Sequence, residues 1–224
     1  MKNWVALSSS SGQTFKSVWR ALNKEEQSSF KGLFLDRKCE APNTLKGLVP
    51  AEKIFDFSDP TSTKEDKRCP TAQFEARYLQ WLQDSQLVQN QQPIVFLIGY
   101  FKILSPGFLE KAGAVVNTHP SLLPLFPGMD HKVHQMAFDN CLVSGFSIHM
   151  VNEDLDAGPL LFQKTIETHL SKSPEELRDN VRSLEQQYLG PAIKKILQTN
   201  IDSNYRKLST RELQLREGFP ICVD

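Results

Sequence analysis

The run PIVFLIGYF at positions 93–101 constrains this chain more than any other stretch. Side chains alternate between the two faces of a strand, and here both sets are apolar. Such a strand must be covered on both sides, as the central strands of a parallel sheet are. Parallel neighbours need crossover connections, usually helices, so strand and helix patterns should alternate around it. NWVAL at 3–7 reads as a buried strand, SSSSGQ at 8–13 as a turn and TFKSVWRAL at 14–22 as a helix. FKGLFL at 30–35 and EKIFDF at 52–57 read as two further strands, and residues 36–50 between them carry two prolines and a glycine, which argues against a full crossover helix.

Residues 71–88 form the stronger helical pattern, with Phe74, Tyr78, Leu79, Leu82 and Leu87 near one face. AVVN at 114–117 and GFSIHMV at 145–151 read as strands. PLLFQKTI at 159–166 follows too closely for a crossover helix, so an antiparallel pairing is expected there. A last long helix should begin at Ser173 as cap, with Pro174 in its first turn and Glu175 and Glu176 at its positive end, and run to 197. The expected fold class is therefore α/β: an open, mostly parallel twisted sheet with helices on both faces and an antiparallel strand near the carboxyl-terminal half. Residues 1–200 read as one domain with halves 1–92 and 93–200, and 201–224 as a polar tail with at most one short helix.

Charge excludes some functions. Lysine plus arginine and aspartate plus glutamate each number 26, so no net field gathers nucleic acid or acidic membrane. The four cysteines Cys39, Cys69, Cys141 and Cys222 lie far apart without a C-x-x-C pair, which points to free thiols in a reducing compartment rather than to a zinc site or disulfide framework. No stretch reaches membrane-spanning length and the amino terminus lacks a signal-peptide core, so a cytoplasmic protein is expected.

Open α/β sheets bind ligands outside the carboxyl ends of their strands. Asn117 and His119 are expected just past one strand, Lys102 just past another, and Asp156 in the turn NEDLDAGP between two more. An amide can donate to a developing oxyanion, an imidazole can donate or relay a proton, and a carboxylate can orient the imidazole or accept that proton. The set suits acyl or formyl transfer without a covalent intermediate. Each feature also has a plain reading. A histidine after a strand is more often structural than catalytic, and DLDAG is an ordinary hairpin turn. His131, His134 and His149 could suggest metal ligands, but no carboxylate or cysteine stands at zinc spacing and no metal is expected. The turn at 8–13 could cradle a phosphate before a helix or be a plain loop.

Order changes these odds. GYFKILSPGFL, VVNTHPSLLPLFPG and GFSIHMVNEDLDAGPLLFQ, in that sequence, closely resemble the folate-dependent formyltransferases from about Pro93 to the end of the last long helix. The resemblance implies a Rossmann-like fold, 10-formyltetrahydrofolate as co-substrate, and Asn117, His119 and Asp156 as catalytic residues. Asn117 and His119 would stabilise the oxyanion, and Asp156 would orient His119 and move a proton through water. Phe101, Lys102, Ile103 and Leu104 would hold the pterin, partly through backbone, with Asn152, Glu153, Asp154, Leu155 and Asp156 on its other side.

The likeness is strongest to members that formylate glycinamide ribonucleotide in purine synthesis. That implies ribose at Glu185 and phosphate at Ser10, Ser11, Gly12 and Gln13, hence a phosphate-binding first half and a folate-binding, catalytic second half. The chain departs from the family's G-x-G-[ST]-N phosphate loop, reading Ser9-Ser10-Ser11-Gly12-Gln13, and residues 58–73 and 130–135 are extended. Amino-sugar and methionyl-tRNA formyltransferases share the central motifs, and a non-catalytic folate or nucleotide sensor is the reading from another class. Against the tRNA enzymes, Phe126-Pro127-Gly128 stands where they usually carry arginine, and too little chain follows the last long helix for their extra domain. The expected partners are small molecules, without nucleic acid or membrane, in a monomer or weak homodimer.

Overall fold

A computed structural model describes residues 2–87, 92–128, 130–199 and 201–217. Seven strands form one sheet: β1 (Trp4–Ser8), β2 (Phe30–Leu35), β3 (Ile54–Asp56), β4 (Ile94–Leu97), β5 (Ala114–His119), β6 (Val143–Met150) and β7 (Leu160–Glu167), in the order β3-β2-β1-β4-β5-β6-β7. The first five are mutually parallel, and β6 runs antiparallel to both β5 and β7. The chain winds one way from β1 to β3 and the other way from β4 onward. The order therefore reverses between β1 and β4, where open sheets leave a ligand crevice at their carboxyl edge.

Alternation along β1 shows why both faces are covered. Trp4 and Ala6 join one core, with Phe15, Val18 and Trp19 of α1 (Gln13–Ala21) and Leu177, Val181, Leu189 and Ile193 of α7 (Pro174–Gln198). Val5 and Leu7 join the other, with Phe74, Tyr78 and Leu82 of α4 (Thr71–Asp84) and Phe108 and Leu109 of α5 (Pro106–Lys111). The two helices of the first core touch closely: a Cβ on Gly190 would lie 2.4 Å from the Ala21 Cβ. Ser173 caps α7 as expected, accepting from Glu176 N at 3.2 Å with Pro174 in the first turn. Only the four-residue α3 (Ala41–Thr44) interrupts the region that the prolines were expected to keep from forming a full helix.

Several expectations shift. Helix α4 stops at Asp84 rather than continuing to Leu87, with Gln86 at φ 58, a conformation no helix interior tolerates; Val88 lies outside the described residues. Strand β4 ends at Leu97, so Lys102 stands five residues beyond it instead of directly after it. Asn117 and His119 lie within β5, because antiparallel β6 prolongs the ladder past the end of β4, pairing Asn117 with His149 and His119 with Ser147. The short α2 (Lys24–Ser28) was not expected; Asn23 and Glu26 close a reciprocal capping box at 2.9 and 2.7 Å.

The segment after position 200 is docked as well as polar. Ile201 and Leu213 are fully buried in the first core, Leu160 N donates to Thr210 Oγ1 at 3.2 Å, and Arg206 donates to Leu109 O. It holds a 3-10 turn, Ser203–Lys207, and α8 (Thr210–Glu217), one helical piece more than expected.

Candidate active site

At the carboxyl edge, Asn117 and His119 project from the same face of β5, and His149 stands opposite Asn117 on β6. Asp156, in the turn between β6 and β7, completes the group. Its Oδ2 lies 3.6 Å from His119 Nδ1 and its Oδ1 lies 3.7 Å from His149 Nε2. Both distances are too long for direct hydrogen bonds, so these are electrostatic contacts. Asp156 Oδ2 accepts from Gly128 N at 2.9 Å, and the residue adopts φ 53, a left-handed conformation uncommon outside glycine.

Backbone partners assign the tautomers. His119 Nε2 is 2.9 Å from Phe126 O, and a carbonyl only accepts, so Nε2 carries a proton. Nδ1 is then the nitrogen that takes up or releases a proton, and it faces the Asp156 carboxylate. In His149 the roles are reversed. Its Nδ1 donates to Met150 O at 2.9 Å, which leaves Nε2 to accept from Asn117 Nδ2 at 3.3 Å. Burial drops the His149 imidazole from its ordinary 6.5 to about 4, against the pull of Asp156. A neutral His149 thus fixes the orientation of the Asn117 amide.

The proline-rich segment after β5 holds the carbonyl that His119 uses. Ser121 Oγ donates to Phe126 O at 2.6 Å, Ser147 Oγ donates to Ser121 O at 2.7 Å, and Gln163 Nε2 donates to Leu123 O at 2.8 Å. Strands β6 and β7 therefore clamp this segment from beneath.

Beside the cluster lie the two loops of the reversal point. In the first, Gly12 sits at φ 81 as the N-cap of α1 with no side-chain cap, so the first-turn amides of that helix are open to an anion. A Cβ there would meet Ala41 at 3.1 Å. Ser10 shares a hydrogen bond of 3.1 Å with Ser8 Oγ, whereas Ser11 and Gln13 are exposed. Ser9 joins the second loop: its N donates to Gly99 O at 2.9 Å and its Oγ accepts from Phe101 N at 3.3 Å. In that second loop Phe101 and Ile103 are exposed and Leu104 is buried. The Lys102 side chain turns inward to Asp36 at 2.9 Å.

Residues 2–193 match the formyl transferase family. The chain belongs to that family. A phosphoribosylglycinamide formyltransferase of Bacillus subtilis (strain 168) is 29% identical over 89% of this chain and 97% of its own length. One from Mycobacterium tuberculosis (strain ATCC 25618 / H37Rv) is 25% identical over 84% of this chain and 82% of its own. Among solved structures, glycinamide ribonucleotide transformylase 1 from Geobacillus kaustophilus has TM-score 0.69 and 25% identity, covering 88% of this chain and 99% of that one.

In this formyl transferase the sheet brings Asn117, His119 and Asp156 together, as their order in the sequence implied. Asn152 and residues 153–155 line the same turn as Asp156, with Leu155 59% exposed. Glu185 sits half-buried on α7, five residues before the Gly190 that packs on α1. His149 was considered only as a third metal ligand; the cross-strand register makes it the partner of Asn117. His134, on α6 (Asp130–Asn140), is buried, and the side chain of His131 lies outside the described residues. Among the described residues, no three histidine, cysteine or carboxylate side chains form a metal cluster, and no helix is long and apolar enough to cross a membrane.

Proposed function

We propose that this formyl transferase moves the formyl group of 10-formyltetrahydrofolate to the amino group of glycinamide ribonucleotide, a step of purine biosynthesis, as a cytoplasmic enzyme, monomeric or weakly dimeric, acting on small molecules. The amine lone pair attacks the formyl carbon, and the carbonyl π pair moves to oxygen. The tetrahedral oxyanion is met by the Asn117 amide, held in orientation by His149, and by His119 through Nδ1 when that nitrogen carries a proton. Asp156 takes the proton released by the attacking nitrogen, directly or through a water. Collapse restores the carbonyl, breaks the bond to N10 of the folate and delivers a proton to that nitrogen. Neither a metal nor a covalent enzyme intermediate enters this sequence.

The observation that carries the reading is Asp156 set 3.6 Å from the one His119 nitrogen left free for proton transfer, with Asn117 on the same strand face. In the phosphate loop, the left-handed Gly12 supports reading it as the second glycine of the family pattern. Ser10 then replaces the first, with its side chain over Gly99, where an added Cβ would lie 2.6 Å from Ser10 Oγ. The acceptor's phosphate would bind the first-turn amides of α1 and its ribose Glu185. Incubation with 10-formyltetrahydrofolate and glycinamide ribonucleotide, an amino-sugar nucleotide or methionyl-tRNA, followed by mass spectrometry, tests the choice. Formylation of glycinamide ribonucleotide alone is expected; transfer only to either competitor would overturn the acceptor assignment.

A further inference from the structure

Residues 101–104 invert the usual relation between side chain and solvent. They alternate outward, inward, outward, inward, yet the outward pair is Phe101 and Ile103, 64% and 76% exposed, and the first inward residue is Lys102, whose side chain is 9% exposed. Water alone would select the opposite register, because a slip of one residue exchanges the two faces. Some specific interaction must hold the charged side chain inside.

That interaction reaches in from the residue that follows β2. The Lys102 ammonium lies 2.9 Å from Oδ2 of Asp36, a carboxylate with no exposed surface, and also donates to Cys69 O. It stands 5.8 Å from the centroid of the Phe74 ring. Asp36 is itself fixed: its Oδ1 accepts from Arg37 Nε at 3.2 Å, its O accepts from Cys69 N at 2.8 Å, and its N donates to Ser8 O at 3.4 Å. The far end of the segment meets a second buried carboxylate. Glu75 accepts from Ser105 N and Ser105 Oγ, both at 2.7 Å.

We infer that Asp36 is a positioning residue of the donor site: through Lys102 it sets the register of residues 101–104 so that Phe101 and Ile103 present an apolar face to the aromatic ring system of the formyl donor. A buried ion pair is a weak source of net stability, because desolvation offsets the attraction. Its physical effect here is to select one of two registers. The Lys102 side chain is then an anchor turned away from the ligand rather than a contact to it. The inference rests on the donor reading proposed above.

The test is direct binding of 5,10-dideazatetrahydrofolate, in which carbon replaces N10 so that no formyl group is transferred, alongside binding of glycinamide ribonucleotide. Lys102→Met alone strands a buried carboxylate and can fail to fold, so the informative variant is the neutral pair Asp36→Asn with Lys102→Met. Its affinity for the folate analogue should fall about tenfold, while affinity for glycinamide ribonucleotide changes less than about twofold. Lys102→Arg, which can still reach Asp36, should restore most of the analogue binding. A folded neutral-pair variant that binds the analogue like the wild type, or that loses both ligands equally, overturns the inference and leaves the formyl-transfer proposal standing. A wild-type protein that binds no folate analogue overturns the donor reading itself. Wild-type protein that binds the analogue with the expected variant pattern, yet transfers no formyl group, upholds the positioning role and removes the activity.

Discussion

Two segments flank the candidate active site, and they are held by different means. Residues 99–105 are tied to the rest of the fold through side chains remote in sequence: Ser9, Asp36 and Glu75, each buried. Residues 152–158 are organised mainly by their own turn, with Asp154 N donating to Asn152 Oδ1 at 3.2 Å and Ala157 N to Asp154 O at 3.4 Å. At the base of this turn Gly158 lies so close to β6 that a Cβ would fall 1.7 Å from Met150 O. The turn reaches toward the site through the carboxylate of Asp156 itself. One segment is a platform whose anchors are separate from its exposed apolar side chains. In the other, the anchor and the proposed reactive group are the same.

The largest expected effect exploits that difference. Asp156→Asn keeps an oxygen able to accept from Gly128 N, so the turn should stay in place while the charge is lost. Turnover should fall by at least about a hundredfold, the scale of losing a general base or oxyanion group. His119→Ala should cost as much, with binding of the folate analogue retained in both variants. Steady-state kinetics alongside the binding titration check this. Near-normal turnover of Asp156→Asn would mean that the carboxylate serves only to tether its turn.

The next effect concerns His149, which faces the Asp156 turn. Its folded-state value of about 4 lies below the ordinary 6.5, so between these values the unfolded chain binds more protons than the folded one. Stability is then fully present above about pH 6.5 and falls as the pH drops toward 4, by roughly 3 kcal/mol at most from this residue. His149→Gln should flatten that part of the stability profile, measured by denaturant unfolding at successive pH values. An unchanged slope would assign the acid sensitivity to other groups.

Much of the fold was legible because burial on both faces leaves a continuous apolar run, as in β1 and β4, and because caps are local: Ser173, Pro174, Glu175 and Glu176 announce α7. The same kind of signal marks two helices that escaped notice, through Asn23 and Glu26 for α2 and Ser105 with Pro106 for α5. Asn117, His119 and Asp156 were legible through motif order. His149 was not, since its role depends on a cross-strand partner 32 positions away. Lys102 read as a strand-end cation, and its inward turn depends on Asp36, a residue without a local motif. The docking of the final segment rests on isolated apolar residues, Ile201, Tyr205, Leu208 and Leu213, spaced through a mainly polar stretch.

The smallest expected effect tests whether the anchors of residues 99–105 act separately. Ser9 Oγ accepts one backbone hydrogen bond, from Phe101 N at 3.3 Å, while the Ser9 amide independently donates to Gly99 O at 2.9 Å. Ser9→Ala removes the first link and keeps the second. The bond is long and neutral, so its loss should cost about 1 kcal/mol, or roughly a fivefold loss of folate-analogue affinity at most. The effect should add to that of the Asp36→Asn with Lys102→Met pair if the two anchors hold different points of the segment. A combined loss much smaller than the product would mean that releasing either anchor already frees the whole segment, making it a single cooperative unit and bringing its behaviour closer to that of the Asp156 turn.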